Sequence, residues 1–361
     1  HGDIMFIHAG MTPIRPDGDL NWSAPVDGNT PKTVWLGIHP IDDHLIIKSP
    51  SAGFLQNNNV DPRLMDSTPP KEVAGKPEYM LSEGFLPKTK STTRALRAIE
   101  VLSAANGMTE EAALRLAFDA KTDLSEKWLS LLEAALPDAP ASADAEDVFL
   151  NDLLAFDGEM SADSTGALKY VYWREAFREL LTASDVEALA AAFSSGAALQ
   201  PETNAKLTAA VTNAEKKMEK MPGGFARRYG DEFRQAGEGG KSWPRSGGSL
   251  EAYPGVPSEC GVETILCDTT LFPASYSPPD ANGVRYAISG SRLMRIDFYS
   301  PKGIRSYTAH NPGISDDPTS PHADDQAERL LSRGEMKEIY FDWESLAPHI
   351  VSTTSLQVKN D

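Results

Sequence analysis

The sequence predicts an α+β protein laid out in three consecutive segments: a β segment over residues 1–70, a mainly helical insert over 71–236, and a second β segment over 237–361 that completes the same sheet domain. Three observations carry this. Short runs near the amino terminus alternate with period two. Apolar positions between about residues 92 and 221 recur with a helical period, and period-two alternation returns after a glycine-rich stretch at 237–248, which reads as a linker.

In order along the chain, Ile4, Phe6 and His8 alternate with Met5 and Ile7 as a strand does, ending at Gly10. Residues 34–38 and 44–48 supply two more short strands, which lead into a loop carrying Asn57, Asn58 and Asn59. Beyond it Pro62, Pro69, Pro70 and Pro77 make the chain irregular, because proline lacks the amide proton that ladders and helices use. Helices are expected to start at Thr109 and Ser125, the second ending at Pro137-Asp138-Ala139-Pro140. Leu168, Val171, Tyr172, Ala176, Phe177, Leu180 and Leu181 paint one face of a further helix. Ser184 and Glu187 have capping-box spacing and announce the next. In the last segment Met294, Ile296 and Phe298 share a strand face, Ser300-Pro301-Lys302-Gly303 turns the chain, and residues 304–309 return as a hairpin partner. Residues 337–341 give one more strand.

Composition narrows the function. The chain has 361 residues, of which 40% are hydrophobic, enough for a sizeable core in one large domain or two. A formal net charge of −18 excludes a general nucleic-acid binder, since phosphates are held by clustered Lys and Arg. No apolar run approaches the roughly 18 residues a membrane helix needs. Acidity is concentrated between Lys127 and Lys169, where no other basic residue occurs. There, Asp157-Gly158-Glu159 lacks the alternating oxygen ligands of a dedicated calcium loop, and a solvated acidic face is the favoured reading. Cys260 and Cys267 either form a disulfide or are buried thiols. If residues 262–266 are a strand, the two α-carbons lie roughly 23 Å apart at ~3.3 Å per residue, and a bridge needs a sharp turn at Gly261.

The three consecutive amides are the chemically suggestive feature. A carboxamide can aim its NH2 at a developing negative charge without protonating it, and one preorganised donor of this kind is typically worth about 10²–10³ in rate. Asparagine also tolerates unusual backbone angles, so a tight turn accounts for the same residues.

The surrounding segment, SPSAGFLQNNNVDPRL, resembles the G-hydrophobic-hydrophobic-x-N-x-N-x-x-P loop of the penicillin acylase (penicillin amidase) family of N-terminal-nucleophile hydrolases. A distant segment, NPGISDDPTSPHADDQ, is similar to that family's GQSGxPxSPHYxDQ stretch. IMFIHAGMTPIR resembles the strand and turn before the amide loop, and Trp35-Leu36-Gly37-Ile38 its "W-x-G" approach. The resemblance runs in order over most of the chain and is weakest from about residue 71 to 246.

What the resemblance implies is specific. The fold would be part of a four-layer αββα sandwich with a large helical insert. Asn59 matches the asparagine that helps stabilise the tetrahedral intermediate, with Asn57 and Asn58 holding the loop; a register shift within the triple is the alternative. Arg94 matches an arginine that orders this loop or the polar end of the substrate, though Arg97 is an equally available neighbour. Ser320-Pro321-His322-Ala323-Asp324-Asp325 invites a Ser-His-Asp triad, but triad members converge through folding, and His322 with Asp324 would supply at most two metal ligands; the family reading is structural. His8 is not nominated. Acyl-pocket aromatics lie mostly upstream of His1, so substrate-binding residues are not assigned.

The family's nucleophile is a freed amino-terminal serine whose own amine, with a pKa of about 8, acts as base. His1 has no hydroxyl, and His1-Gly2-Asp3-Ile4 matches the middle of the family's β chain. The expectation is therefore the carboxy-terminal portion of a catalytic β chain, active only with upstream chains of the same precursor. The reaction would be hydrolysis of a small-molecule N-acyl compound: a β-lactam, an acyl-homoserine lactone or a lipopeptide. No cofactor is required, a structural calcium occurs in some relatives, and export to the periplasm or beyond is usual. The alternative is a non-catalytic binding or scaffold subunit retaining the fold.

Overall fold

A computed structural model describes residues 2–357 apart from 8–9, 17, 19, 23, 61, 69–70, 77–92, 123, 137–146 and 249–267. His1, His8, Cys260, Cys267 and the proline run expected to end the second helix lie outside the described residues.

The first segment is sparse in regular structure. Strands β1 (Met5–Ile7), β2 (Pro13–Ile14), β3 (Gly37–Ile38) and β4 (Ile46–Lys48) form two antiparallel pairs, β1 with β4 and β2 with β3. The strand expected over residues 34–38 is reduced to its last two residues. Pro31 sets a short 3₁₀ turn over Pro31–Thr33, and Val34, Trp35 and Leu36 that follow are exposed.

Helices fill the middle: α1 (Thr93–Ala104), α2 (Glu110–Leu116), α3 (Ser125–Ala135), α4 (Val148–Leu154), α5 (Thr165–Leu180), α6 (Ala183–Ser195), α7 (Pro201–Met218) and the short α8 (Tyr229–Glu232). Thr109 caps α2 as expected, its hydroxyl accepting from Ala112 N at 3.1 Å. α5 differs from the amphipathic stripe that its periodicity suggests. Residues 166–177 are all buried, because α4 and α7 pack along it, Trp128 of α3 meets Trp173 and Phe177, and Arg285 at the start of β8 reaches Glu175 on its polar side. The charged side chains on that side are answered by partners. Lys169 reaches Asp152, Arg174 lies over the Trp128 ring at 3.8 Å, and Glu175 binds Arg285 at 3.0 Å and Lys217 at 3.2 Å. The acidic stretch is thus solvated only in part: Glu133, Asp157 and Asp163 are exposed, while Asp152 serves the buried Lys169.

The capping box sits two residues earlier than expected. Thr182 and Asp185 form it, with Asp185 Oδ2 accepting from Thr182 N at 2.8 Å. Both registers have the right spacing. The earlier one prevails because Asp185 also accepts from Thr203 Oγ1 at 2.8 Å and from Lys206 Nζ at 2.5 Å, joining α6 to α7.

The helical insert ends in a strand, β5 (Phe233–Ala236), and the last segment holds β6 (Ser242–Pro244), β7 (Ala274–Tyr276), β8 (Arg285–Gly290), β9 (Leu293–Ser300), β10 (Gly303–His310), α9 (Asp325–Arg329), β11 (Lys337–Ile339) and α10 (Trp343–Leu346). One sheet has the order β6-β5-β8-β7, with β5 parallel to β8, and a second has β11-β10-β9. The expected hairpin is present, register running from Gly303 opposite Ser300 to His310 opposite Leu293. The presumed linker at 237–248 is in part structured, since it contains β6. Gly237 makes that possible, for a Cβ there would stand 2.4 Å from a Trp243 ring carbon. Among the described residues, strands of the first and last segments fall in separate sheets, so the sheet expected to join them is not closed within this part of the chain.

Candidate functional site

The amide loop rests on a small apolar cluster of its own. Leu45 and Ile47 before it, Val60 and Met65 after it, and Ala95 from the first turn of α1 are buried together. Burying Ala95 against the loop brings its chain neighbour Arg94 alongside the asparagines. Gln56, also buried, closes the loop's neck: its backbone N donates to Met65 O at 2.7 Å and its side-chain NH2 to Leu64 O.

Each asparagine then has a different part. Asn57 Oδ1 accepts from Asn59 N at 2.9 Å, an Asx turn, and Asn58 Nδ2 donates to Gln56 Oε1 at 2.8 Å. Asn59 stands exposed at the tip with φ +60°, in the left-handed region that asparagine enters more readily than most residues. Its Oδ1 accepts from Arg94 Nη2 at 3.0 Å, and the same nitrogen lies 3.4 Å from Asn58 O. Since a guanidinium only donates, this contact fixes which end of the Asn59 amide faces the arginine. The Asn59 NH2 points elsewhere and has no acceptor among the described residues.

Arg94 occupies the first turn of α1, where the helix dipole disfavours a cation by about 0.3–1 kcal/mol. The two loop oxygens offset that. Arg97, the alternative, is committed elsewhere: it binds Asp119 at 2.8 Å and Glu100 at 2.9 Å, and the hydrogen bond it donates to Asp119 raises its pKa above the usual guanidinium range. Thr93 anchors the start of α1 to the segment before β7, exchanging hydrogen bonds of 3.0 Å with Thr269 in both directions. Gln56 and this threonine pair were not identified from sequence. The only available signal was a glutamine directly before the asparagine run.

The SPHADDQ segment does not bring its serine, histidine and aspartates into a triad. Ser320 Oγ accepts from His322 N, not from its ring, and His322 Nδ1 lies 3.0 Å from Asp325 Oδ2 on the surface. Asp324 is buried and accepts from Lys241 at 3.3 Å, while Gln326 Oε1 accepts from His310 N at 2.9 Å. Gly313 lets the segment fold back on itself, because a Cβ there would come within 2.2 Å of His322 O. The segment therefore ties the end of β10 to the turn before β6. A groove of about 500 Å³ near α3, lined by Arg97, Glu100, Lys121, Ser125, Glu126 and Asp157, does not include the amide loop. Among the described residues no three His, Cys, Asp or Glu side chains are grouped to hold a metal ion, and no helix is long and apolar enough to cross a membrane.

The mixed helix and sheet architecture is that of the penicillin acylase fold. The family model for penicillin amidase matches residues 1–348, and the chain belongs to that family. Among solved structures it is similar to a thermostable penicillin G acylase from Alcaligenes faecalis, with a TM-score of 0.52 at 16% identity. That similarity covers 100% of this chain and 66% of the other, so the chain spans a little under two thirds of the length of its structural neighbour.

Proposed function

We propose that this chain supplies the oxyanion donor of an amide-hydrolysing acylase whose nucleophile is the amino-terminal serine of another chain from the same precursor. The serine Oγ forms a bond to the acyl carbon while its α-amine takes the proton. The carbonyl oxygen becomes an oxyanion, which accepts a hydrogen bond from Asn59 Nδ2. Collapse expels the amine, which takes back the proton held by the α-ammonium, and leaves an acyl-enzyme whose ester bond water cleaves to release the acid. Arg94 is a positioning residue in this scheme. The substrate is a small N-acyl compound, and the protein works outside the cytoplasm, in the periplasm or as a secreted enzyme, as is usual for the family.

The observation that carries the reading is the Arg94 to Asn59 Oδ1 hydrogen bond of 3.0 Å, which commits the amide oxygen and leaves the NH2 as the outward donor. Asn59→Ala in the assembled protein is expected to lower kcat by about 10²–10³ with KM and the circular dichroism spectrum preserved. Unchanged turnover removes Asn59 from the mechanism. Intact-mass measurement of the purified assembly supplies the second half of the test: with no chain beginning in Ser, Thr or Cys, a non-catalytic scaffold subunit becomes the better reading.

A further inference from the structure

A cavity of about 220 Å³ opens between β8 and the turn after β10, bordered by Gln235, Arg245, Ser289, Ser291, Arg292 and Asn311. Arg245 directly follows β6 and is 1% exposed. Its Nη1 donates to Gln235 Oε1 at 3.3 Å, its Nη2 to Pro273 O at 2.9 Å, and its guanidinium carbon lies 4.0 Å from the centre of the Phe272 ring. All of these partners are neutral, and Nε has no acceptor.

The other buried arginines among the described residues are treated differently. Arg285 binds Glu175 at 3.0 Å and Glu232 at 2.8 Å, Arg227 lies 3.7 Å from Glu232, and Arg174 lies 3.9 Å from Asp268. Arg245 alone of the four has no carboxylate within ion-pair distance. Burial pushes its pKa down, yet a guanidinium starts so far above neutrality that it stays charged. A buried charge with no counter-ion is unfavourable, and here that charge borders a cavity. Arg292 adds a second cation at the exposed side, the Ser289 and Ser291 hydroxyls can donate, and the side-chain oxygen of Asn311 is buried without a partner. An amide turned through half a rotation presents NH2 there instead. In a chain with net charge −18, a cavity whose charged lining groups among the described residues are two arginines is a local departure from the general field.

We propose that this cavity is a binding site for a small organic carboxylate, held between Arg245 and Arg292, with the serine hydroxyls and the Asn311 amide as further donors. The volume suits a ligand smaller than the drug-sized molecules that occupy pockets of about 300–1,000 Å³. The site uses neither Asn59 nor Arg94, so it stands or falls independently of the catalytic reading.

The test is thermal unfolding of the purified protein at pH 7 and fixed ionic strength, with sodium chloride replaced stepwise by sodium acetate or sodium phosphate. A ligand that binds only the native state raises Tm saturably. The expected result is a saturating rise with acetate over chloride that is absent in Arg245→Met. Should that variant fail to fold, the exposed Arg292→Ala is expected to weaken the apparent acetate affinity by about 2–5-fold. Equal Tm values in acetate and chloride, a response to phosphate alone, or an acetate response that neither substitution changes would each overturn the proposal.

Discussion

At Asn59 the turn reading and the donor reading coincide, because the residue has φ +60° and also presents the unpartnered NH2. They can be separated by glycine. Gly adopts this backbone without the roughly 1–2 kcal/mol that a left-handed conformation costs an L residue, so Asn59→Gly should fold at least as stably as the parent. If the residue only makes a turn, turnover is retained. The expected outcome is instead intact stability by urea unfolding with kcat lowered by about 10²–10³, as for the alanine variant. Arg94 acts one step back. Lysine can reach one loop oxygen but cannot brace the amide with a planar fork, so Arg94→Lys is expected to lower kcat by about 10–10² with stability little changed, measured on the assembled enzyme. The asparagines and Arg94 were legible in the sequence because the loop is short and its residue types are unusual together. Thr93 and Thr269 were not, since their mutual hydrogen bonds join positions 176 residues apart and threonine is common in any loop.

Among the elements, the start of α6 shows what local pattern can and cannot decide. Thr182 and Ser184 both stand three residues before a carboxylate, and only tertiary contacts from α7 select the first. Thr182→Ala should therefore destabilise by about 1 kcal/mol in urea unfolding, and Ser184→Ala by a few tenths at most. Burial alone would raise the Asp185 pKa, but hydrogen bonds from Lys206, Thr182 and Thr203 outweigh it and hold the carboxyl well below the usual carboxylate range. A depressed folded-state pKa stabilises above the unfolded value of about 4, and that contribution fades as pH falls toward the folded value. The stability difference between the parent and Asp185→Asn is thus expected to be constant from pH 7 to about 5 and to shrink below about 4. The long elements were readable from periodicity: the hairpin of β9 and β10, and α5 with its apolar offsets. What periodicity could not reveal was that the polar side of α5 is buried too. That depends on Asp152, Lys217 and Arg285, which come from other parts of the chain.

Across the whole molecule, apolar side chains are distributed in two ways. The helical insert and the sheet beside it enclose one continuous core that includes Trp128, Trp173, Phe177 and Phe233. The first segment and the hairpin sheet have only small clusters of their own, around Leu45 and Val60 and around Phe272 and Ala309. Met11, Val34, Trp35, Leu36, Ile38 and Ile41 are exposed around β2 and β3, and Ile288, Leu293, Tyr299 and Ile304 are exposed on β8 to β10. Among the described residues two of the sheets have only two strands, a number that is marginal in water unless another layer covers it. Open edges and apolar faces of this kind belong to an interface, and the proposed serine-bearing chain is the partner that fits, since it must reach the exposed tip of Asn59. The helical core should form by itself while the β segments lack a layer. Expressed alone, the chain is then expected to keep its helical circular dichroism, to bind a hydrophobic dye strongly, and to self-associate in sedimentation. Co-expression with the upstream part of its precursor should abolish most of the dye binding and yield a single heteromeric species, burying well over about 2,000 Å² as obligate interfaces do. A dye-silent, monodisperse monomer would show that these faces need no cover and would remove the structural ground for a partner chain at the amide loop.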